Sequence, residues 1–154
     1  MDKNLKELLS ALIANRVKFV VVGGYAVFIH AQPRMTKDLD VFIESSPENA
    51  HALYKALAEF GAPLQNFTLE DFHTPTTIAR FGTPPICFDI LQQIDGVDFS
   101  SVYANSQSVM VDGDLSVRYI SAEDLITNKL ASGRLQDLAD VEAIRQRQKA
   151  TGKN

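Results

Sequence analysis

The sequence predicts an α+β fold in which helices flank a mixed β-sheet, and three observations lead to this prediction. Short β-branched runs alternate with amphipathic segments, later strands come in hairpin pairs, and the chain closes with two helical segments. A doubly wound dinucleotide fold is not expected, because the Gly23-Gly24 turn lacks the G-x-G-x-x-G pattern. We interpret residues 1–154 as a single domain, with an α/β core at 1–120 and C-terminal helices at 121–148.

The first part of the chain predicts helices and strands in alternation. Leucines recur at helical spacing through the N-terminal segment, so an amphipathic helix should end near Asn15. The apolar run Lys18–Val22 is typical of a buried strand and stops at the double glycine. A second helix is expected over Tyr25–Ala31, closed by Pro33, and Asp38–Ile43 alternates as a second strand.

The remainder predicts a third helix, two hairpins and two closing helices. Ser46 followed by Pro47 is an N-cap signal, and Gly61 is expected to end that helix. Two strand pairs flank turn-rich links and should form hairpins: Thr77–Phe81 with Ile86–Leu91, and Ser106–Val111 with Leu115–Ile120. The closing helices begin at Ser121 and are interrupted around Gly133.

Composition restricts the class of protein. With 154 residues, 45% of them hydrophobic, the chain can bury a core without metal or disulfide, so any metal would be functional. Nineteen acidic against fifteen basic residues exclude the basic footprint of a general nucleic-acid binder. Cys87 is the single cysteine, which favours a reduced, cytoplasmic setting. No run resembles a signal peptide or approaches the roughly 20 apolar residues of a membrane span.

Three acidic residues lie in predicted strands. Asp38 and Asp40 are two apart, so both side chains leave one face about 6.6 Å apart, and they repel by roughly 3 kcal/mol at a dielectric of about 20. Asp89 interrupts an otherwise apolar strand, where an acid is costly unless paired or metal-bound. If the two strands are neighbours, the three carboxylates converge, and Mg²⁺ is the cation that suits such oxygen ligands.

The double glycine directly follows an apolar strand and opens a helix. Gly23 and Gly24 therefore offer backbone N–H groups and the positive end of a helix to an anion. Without side chains they allow a triphosphate to approach the backbone closely. Each motif taken singly is commonly a plain turn or a solvated strand end, and it is their ordered combination that indicates a nucleotide site.

This combination resembles the nucleotidyltransferase superfamily of the DNA polymerase β type. The resemblance is carried by Gly23-Gly24, the Asp38-Leu39-Asp40 pair and the later Asp89. Two parts of the chain are most similar to AbiEii-type and related small bacterial nucleotidyltransferase-like proteins: the helical ending, and the run of Gly23–Ala26, His30, Pro33-Arg34 and Thr36–Asp40. In the ending, the similar residues are Ser121–Ile126, Lys129, Leu130, Arg134 and Asp137–Asp140.

The resemblance implies a role for each motif. Asp38, Asp40 and Asp89 would bind Mg²⁺, and Asp89 would also favour deprotonation of the acceptor. The nucleotide-binding residues implied are Gly23, Gly24, Thr36, Lys37 and Lys129. The sequence departs from the family pattern in two ways. Gln136 occupies a position where relatives often carry lysine, and little chain follows the closing helices. Either the acceptor is small or a partner protein supplies its binding surface.

Several neighbouring side chains have structural interpretations as well. Lys129 either reaches a cleft or pairs with Glu123 or Asp124. Asp137 and Asp140 share a helix face and are expected to hold Arg134. Three other features have weaker interpretations. Arg34 would neutralise phosphate charge or form a surface ion pair, and His30 is expected to be a structural hydrogen-bond donor. The basic residues at the end of the last helix are expected to stabilise that helix end.

The leading functional hypothesis is Mg²⁺-dependent transfer of a nucleoside monophosphate from an NTP to a hydroxyl, with release of pyrophosphate. The acceptor stays open among an RNA 3′ end such as that of tRNA, a protein side chain and a small molecule. The alternative is a non-catalytic binding module of this fold in a toxin–antitoxin or regulatory pair. A metal nuclease is a third hypothesis, and the double glycine fits it less well because that turn suits a free triphosphate.

Overall fold

The computed structural model describes residues 1–31, 38–83 and 86–152. Within these ranges the chain forms a mixed six-stranded sheet with six α-helices around it, as the sequence predicts. The helices are α1 (Lys3–Ala14), α2 (Gly23–His30), α3 (Pro47–Phe60), α4 (Phe99–Asn105), α5 (Ala122–Ser132) and α6 (Leu135–Ala150). The strands are β1 (Phe19–Val22), β2 (Asp38–Ile43), β3 (Ala79–Thr83), β4 (Ile86–Leu91), β5 (Gln107–Val111) and β6 (Leu115–Tyr119).

The strands lie in the order β3-β4-β2-β1-β6-β5. The two hairpins, β3 with β4 and β5 with β6, are antiparallel as predicted. Strand β2 pairs antiparallel with β1 and parallel with β4, whereas β1 and β6 run parallel. The acidic strand β2 therefore lies inside the sheet, with a partner on each side that fixes its register.

The first and third helices form where leucine spacing and capping residues predict them. Asp2 caps α1 by accepting backbone N–H groups, and four of its leucines are buried. Ser46 caps α3, and Gly61 ends it in the left-handed conformation that favours glycine. The two helices pack against each other over a core that includes the fully buried strand β1.

Two short elements in the described ranges were not predicted. Helix α4 has seven residues, is capped by Asp98 and buries Val102. A 3₁₀ turn at Leu69–His73 begins with a capping box between Thr68 and Asp71 and buries Phe72. Elements this short contain no full hydrophobic period, so periodicity does not detect them.

The chain closes with α5 and α6, which pack on each other and both contact α2. Ser121 caps α5, and Gly133 ends it with a φ of 69°, as the sequence predicts. The predicted break at Pro33 and the Pro84-Pro85 link lie outside the described residues. In the described part of the chain, no helix is long and apolar enough to cross a membrane.

We predict that Leu39→Ala destabilises the protein by about 2–5 kcal/mol, because Leu39 is fully buried between Asp38 and Asp40. The matched control is Leu135→Ala, which removes the same atoms from a side chain that is 87% exposed and should change stability by less than about 0.5 kcal/mol. Urea unfolding of both variants measures the difference. Equal losses would show that β2 is not anchored through Leu39.

Candidate active site

The sheet brings the predicted acids together. Strands β2 and β4 are parallel neighbours, and Asp40 lies directly opposite Asp89 in the register. Leu39 is fully buried between the two acids of β2, so Asp38 and Asp40 leave the opposite face of the strand. The adjacency on which the predicted carboxylate cluster depends is confirmed.

The double glycine touches this cluster from the next strand. Val22 pairs with Asp40, and α2 begins at Gly23, whose φ is 69°. A Cβ atom on Gly23 would lie 2.1 Å from Oδ2 of Asp40, so only glycine fits. Val22 precedes the helix and has no polar side chain to cap it. The backbone N–H groups of the first turn of α2 are thus available to an anion beside the carboxylates.

An arginine that the sequence analysis missed reaches the acids from the edge strand. Arg80 on β3 lies opposite Asp89, and its Nε and Nη2 atoms donate to both oxygens of that carboxylate at 2.8 and 2.9 Å. Nη2 also lies 3.3 Å from Oδ2 of Asp38. The predicted hairpin contained the signal for this pair, because its register places opposite charges across from each other.

Lys129 belongs to a buried cluster of charged side chains and does not form the ion pairs that were considered from the sequence. Its side chain is 10% exposed, and Nζ lies 3.3 Å from Asp137 and 3.0 Å from Asp140 on α6. Of the two interpretations from sequence, Lys129 lines a cleft and does not pair with Glu123 or Asp124, because the α5–α6 packing turns it toward the next helix.

The acids of α6 also hold polar side chains of their own helix. Arg134 Nε donates to Asp137 at 2.8 Å, as predicted, whereas Asp140 accepts from Gln136 Nε2 at 2.9 Å. Burial acts to raise the pKa of Asp137, but hydrogen bonds from Arg134 and Lys129 bring it below its ordinary value. Gln136, in place of the lysine of the resemblance, gives this cluster a neutral donor.

Many of these groups line one cleft of about 730 Å³, but Asp38 and Arg80 are not among its lining residues. Its polar wall is formed by Gly23, Gly24, Asp40, Asp89, Lys129, Arg134, Gln136 and Asp137. The lining also includes the segment after β4, where Asp95 accepts hydrogen bonds from Asn128 and Ser132 of α5. Most of the predicted site residues thus meet at one place, while Thr36, Lys37 and Arg34 lie outside the described residues.

Two further predictions concern groups away from this wall. His30 does not line the cleft, and its Nε2 lies 2.7 Å from the carbonyl oxygen of Ile120, consistent with the predicted structural role. Arg147 in the basic last turns of α6 donates to the carbonyl oxygen of Ala31. Both contacts tie α2 to its neighbours and so support the helix that begins at the double glycine.

The electrostatics of the cleft centre on Asp40. Burial, followed by repulsion from Asp89 and Asp38, raises the pKa of Asp40 to about 6, and Lys129 and Arg80 offset only part of this effect. A carboxylate placed in this way gains from a nearby cation, because the cation stabilises its charged form.

The donor chemistry of the three carboxylates suits Mg²⁺, which prefers hard oxygen ligands. Among the described residues, however, no group of three His, Cys, Asp or Glu side chains is already arranged around a metal position. In this structure both oxygens of Asp89 accept from the Arg80 guanidinium. The sheet brings the carboxylates together, and the cation that Asp89 contacts is an arginine.

Comparison with known families identifies the superfamily. The family described as "Nucleotidyltransferase of unknown function (DUF6036)" matches residues 1–148. The chain belongs to this nucleotidyltransferase family. The superfamily suggested by the double glycine and the acids is thereby confirmed, and the closer AbiEii-type likeness stays a prediction. No curated protein sequence matches this family member significantly.

Solved structures share the fold of this family member. The lincosamide antibiotic adenylyltransferase LnuA, bound to lincomycin, is 14% identical with a TM-score of 0.60, and the match covers 94% of this chain and 96% of that one. ANT(2'')-Ia, in complex with adenylyl-2''-tobramycin, is 14% identical with a TM-score of 0.60, and the match covers 96% and 87% of the two chains. At this identity the likeness concerns the fold, and the fold of both neighbours is matched over nearly their whole length.

We predict that Gly23→Ala destabilises the fold more than Gly113→Ala does. Both glycines have positive φ, which costs an L-residue about 1–2 kcal/mol, but a Cβ at Gly113 meets open space. At Gly23 the Cβ would also lie 3.2 Å from the Asp40 Cβ, so turning the carboxylate away relieves only part of the clash. Thermal unfolding compares the two variants, and equal shifts would contradict the close approach.

Asp40→Asn should stabilise the metal-free protein at neutral pH. In the wild type, the folded state binds a proton at Asp40 more tightly than the unfolded state does. The stability that this proton gives the wild type is fully present below the unfolded pKa of about 4 and is lost as pH rises through about 6. The variant should therefore gain about 2–3 kcal/mol over the wild type near pH 7.5 and almost nothing near pH 4. Urea unfolding in EDTA measures both, and a difference independent of pH would contradict the raised pKa.

Proposed function

We propose that this protein is a Mg²⁺-dependent nucleotidyltransferase that moves a nucleoside monophosphate from an NTP to a hydroxyl of a small molecule. The observation that carries the proposal is the contact between the Gly23 turn and Asp40, with Asp89 in register beside it. A helix start suited to phosphate and a carboxylate cluster suited to a cation thus lie side by side. Family membership and the fold of two adenylyltransferases support the same reaction class.

Each of these groups would have a separate role in the reaction. The N–H groups at Gly23 and Gly24 would donate to the triphosphate, and Lys129 at the cleft wall would face its negative charge. Asp38, Asp40 and Asp89 would hold Mg²⁺, which supplies neutralisation of phosphate charge and a lowered pKa of the acceptor hydroxyl when bound. An Asp89 oxygen would take the hydroxyl proton as the acceptor oxygen bonds to the α-phosphorus and the bond to the β-phosphate breaks, releasing pyrophosphate.

The small-molecule acceptor is favoured by charge and by size. The cleft is lined by Asp40, Asp89, Asp95 and Asp137 against Lys129 and Arg134. Mg²⁺ would offset this charge for one triphosphate, but the lining offers few cations for the further phosphates of an RNA end, and nucleic-acid binding depends on neutralising phosphates. The chain also spans nearly the whole length of LnuA, so a small acceptor needs no additional domain.

The first test is thermal unfolding with ATP, CTP, GTP and UTP, each with and without Mg²⁺. We expect a Mg²⁺-dependent increase in Tm for at least one NTP, since a ligand at 100 times its Kd stabilises by about 2.7 kcal/mol. Asp38→Asn and Asp40→Asn should lose the increase. Asp114→Asn, which removes an exposed acid of the β5–β6 turn, is the control and should keep it.

Transfer itself is measured as pyrophosphate release with the NTP that binds. Hydroxylated small molecules, among them a lincosamide and an aminoglycoside, should accelerate release, and a tRNA should not. Acceleration by tRNA alone would overturn the acceptor proposal and leave the reaction class standing. Absence of any NTP-dependent Tm increase would overturn the enzymatic proposal and favour the binding-module alternative, while strand scission without NTP would indicate a nuclease.

A further inference from the structure

The Arg80 side chain bridges acids on two different strands. Its guanidinium fork takes both oxygens of Asp89, at 2.8 and 2.9 Å, and reaches one oxygen of Asp38 at 3.3 Å. Paired N–H donors in a rigid plane match a carboxylate, so this is the strong bidentate form of the contact. The oxygens that accept these hydrogen bonds belong to the same carboxylates that we propose as Mg²⁺ ligands.

The position of Arg80 allows it to leave these acids without disturbing the core. It lies on β3, the strand at the end of the sheet order, and its side chain is 59% exposed. Asp89, by contrast, has a side chain only 13% exposed and stays where the β2–β4 register places it. An exposed cation thus faces a largely buried carboxylate.

We propose that Arg80 is an internal competitor for the divalent cation: it holds Asp38 and Asp89 in the metal-free protein and releases them when the metal binds. This inference rests on the proposed function, because it assumes that those two acids are metal ligands. Its consequence is that the free metal binds more weakly than the acids alone would allow, while the acids are kept from repelling one another before loading.

The test measures binding of Mn²⁺ without nucleotide, followed by the electron paramagnetic resonance signal of the free ion. Arg80→Lys keeps the positive charge but cannot span both acids with a planar fork. Its Kd for Mn²⁺ should fall roughly twofold to fivefold, the range expected for loss of a partly exposed ion pair. Arg80→Gln also removes the charge and should lower the Kd at least as far.

Arg118→Lys is the matched control. Arg118 is an exposed arginine on β6 that stacks over Tyr103 and donates to Ser106, and its replacement should leave the Kd unchanged. A second readout is the Nε–H resonance of each arginine during Mg²⁺ titration of the wild type. The Arg80 resonance should shift as Mg²⁺ saturates, and that of Arg118 should not.

The outcomes separate this inference from the function on which it rests. A wild-type Kd for Arg80→Lys, or an unchanged Arg80 resonance at saturating Mg²⁺, overturns the role of Arg80 while leaving the metal site intact. If the wild-type protein binds neither Mn²⁺ nor a Mg²⁺–NTP complex, the proposed function and this inference both fall. Equal changes in the Arg80 and Arg118 variants would indicate a general electrostatic effect and would also overturn it.

Discussion

Like charges held together by backbone pairing are the constraint around which this structure is organised. Asp40 and Asp89 lie opposite each other on parallel strands, and Asp38 is one pleat away, so hydrogen bonding of the sheet fixes the three carboxylates at distances where they repel. Burial of Leu39 and of the neighbouring strand β1 prevents β2 from shifting its register. The cost of the charges must be offset by cations, and the surrounding contacts follow from that need.

Two cationic side chains meet this need from different directions. Arg80 reaches in from the edge of the sheet and holds Asp89 and Asp38 directly. Lys129, buried with Asp137 and Asp140, acts on Asp40 over a longer distance as a lining group of the same cleft. Arg80 is exposed and is the cation that we propose to exchange with a metal, whereas Lys129 is buried between two helices. An exposed arginine and a buried lysine thus offset the carboxylates beside the turn that we propose for phosphate.

Much of this arrangement could be predicted from sequence, because its parts are local. Leucine spacing, the capping residues Ser46 and Ser121, and the hairpin links define most elements, and the family motifs indicate which strands meet. What escaped prediction depends on packing between distant segments. The partners of Lys129 come from the docking of α5 on α6, and the reach of Arg80 to Asp38 requires three neighbouring strands in known order. The short helix α4 escaped because one or two turns carry no periodicity.

The most direct test of the central claim is the position of the metal. A crystal grown with Mn²⁺ and a non-hydrolysable NTP analogue should show an anomalous peak between Asp38, Asp40 and Asp89, with the triphosphate against Gly23 and Gly24. Arg80 should then no longer contact Asp89. Mn²⁺ bound elsewhere, or an Arg80–Asp89 contact that persists beside a bound triphosphate, would contradict the account of a carboxylate cluster built to exchange its arginine for a metal.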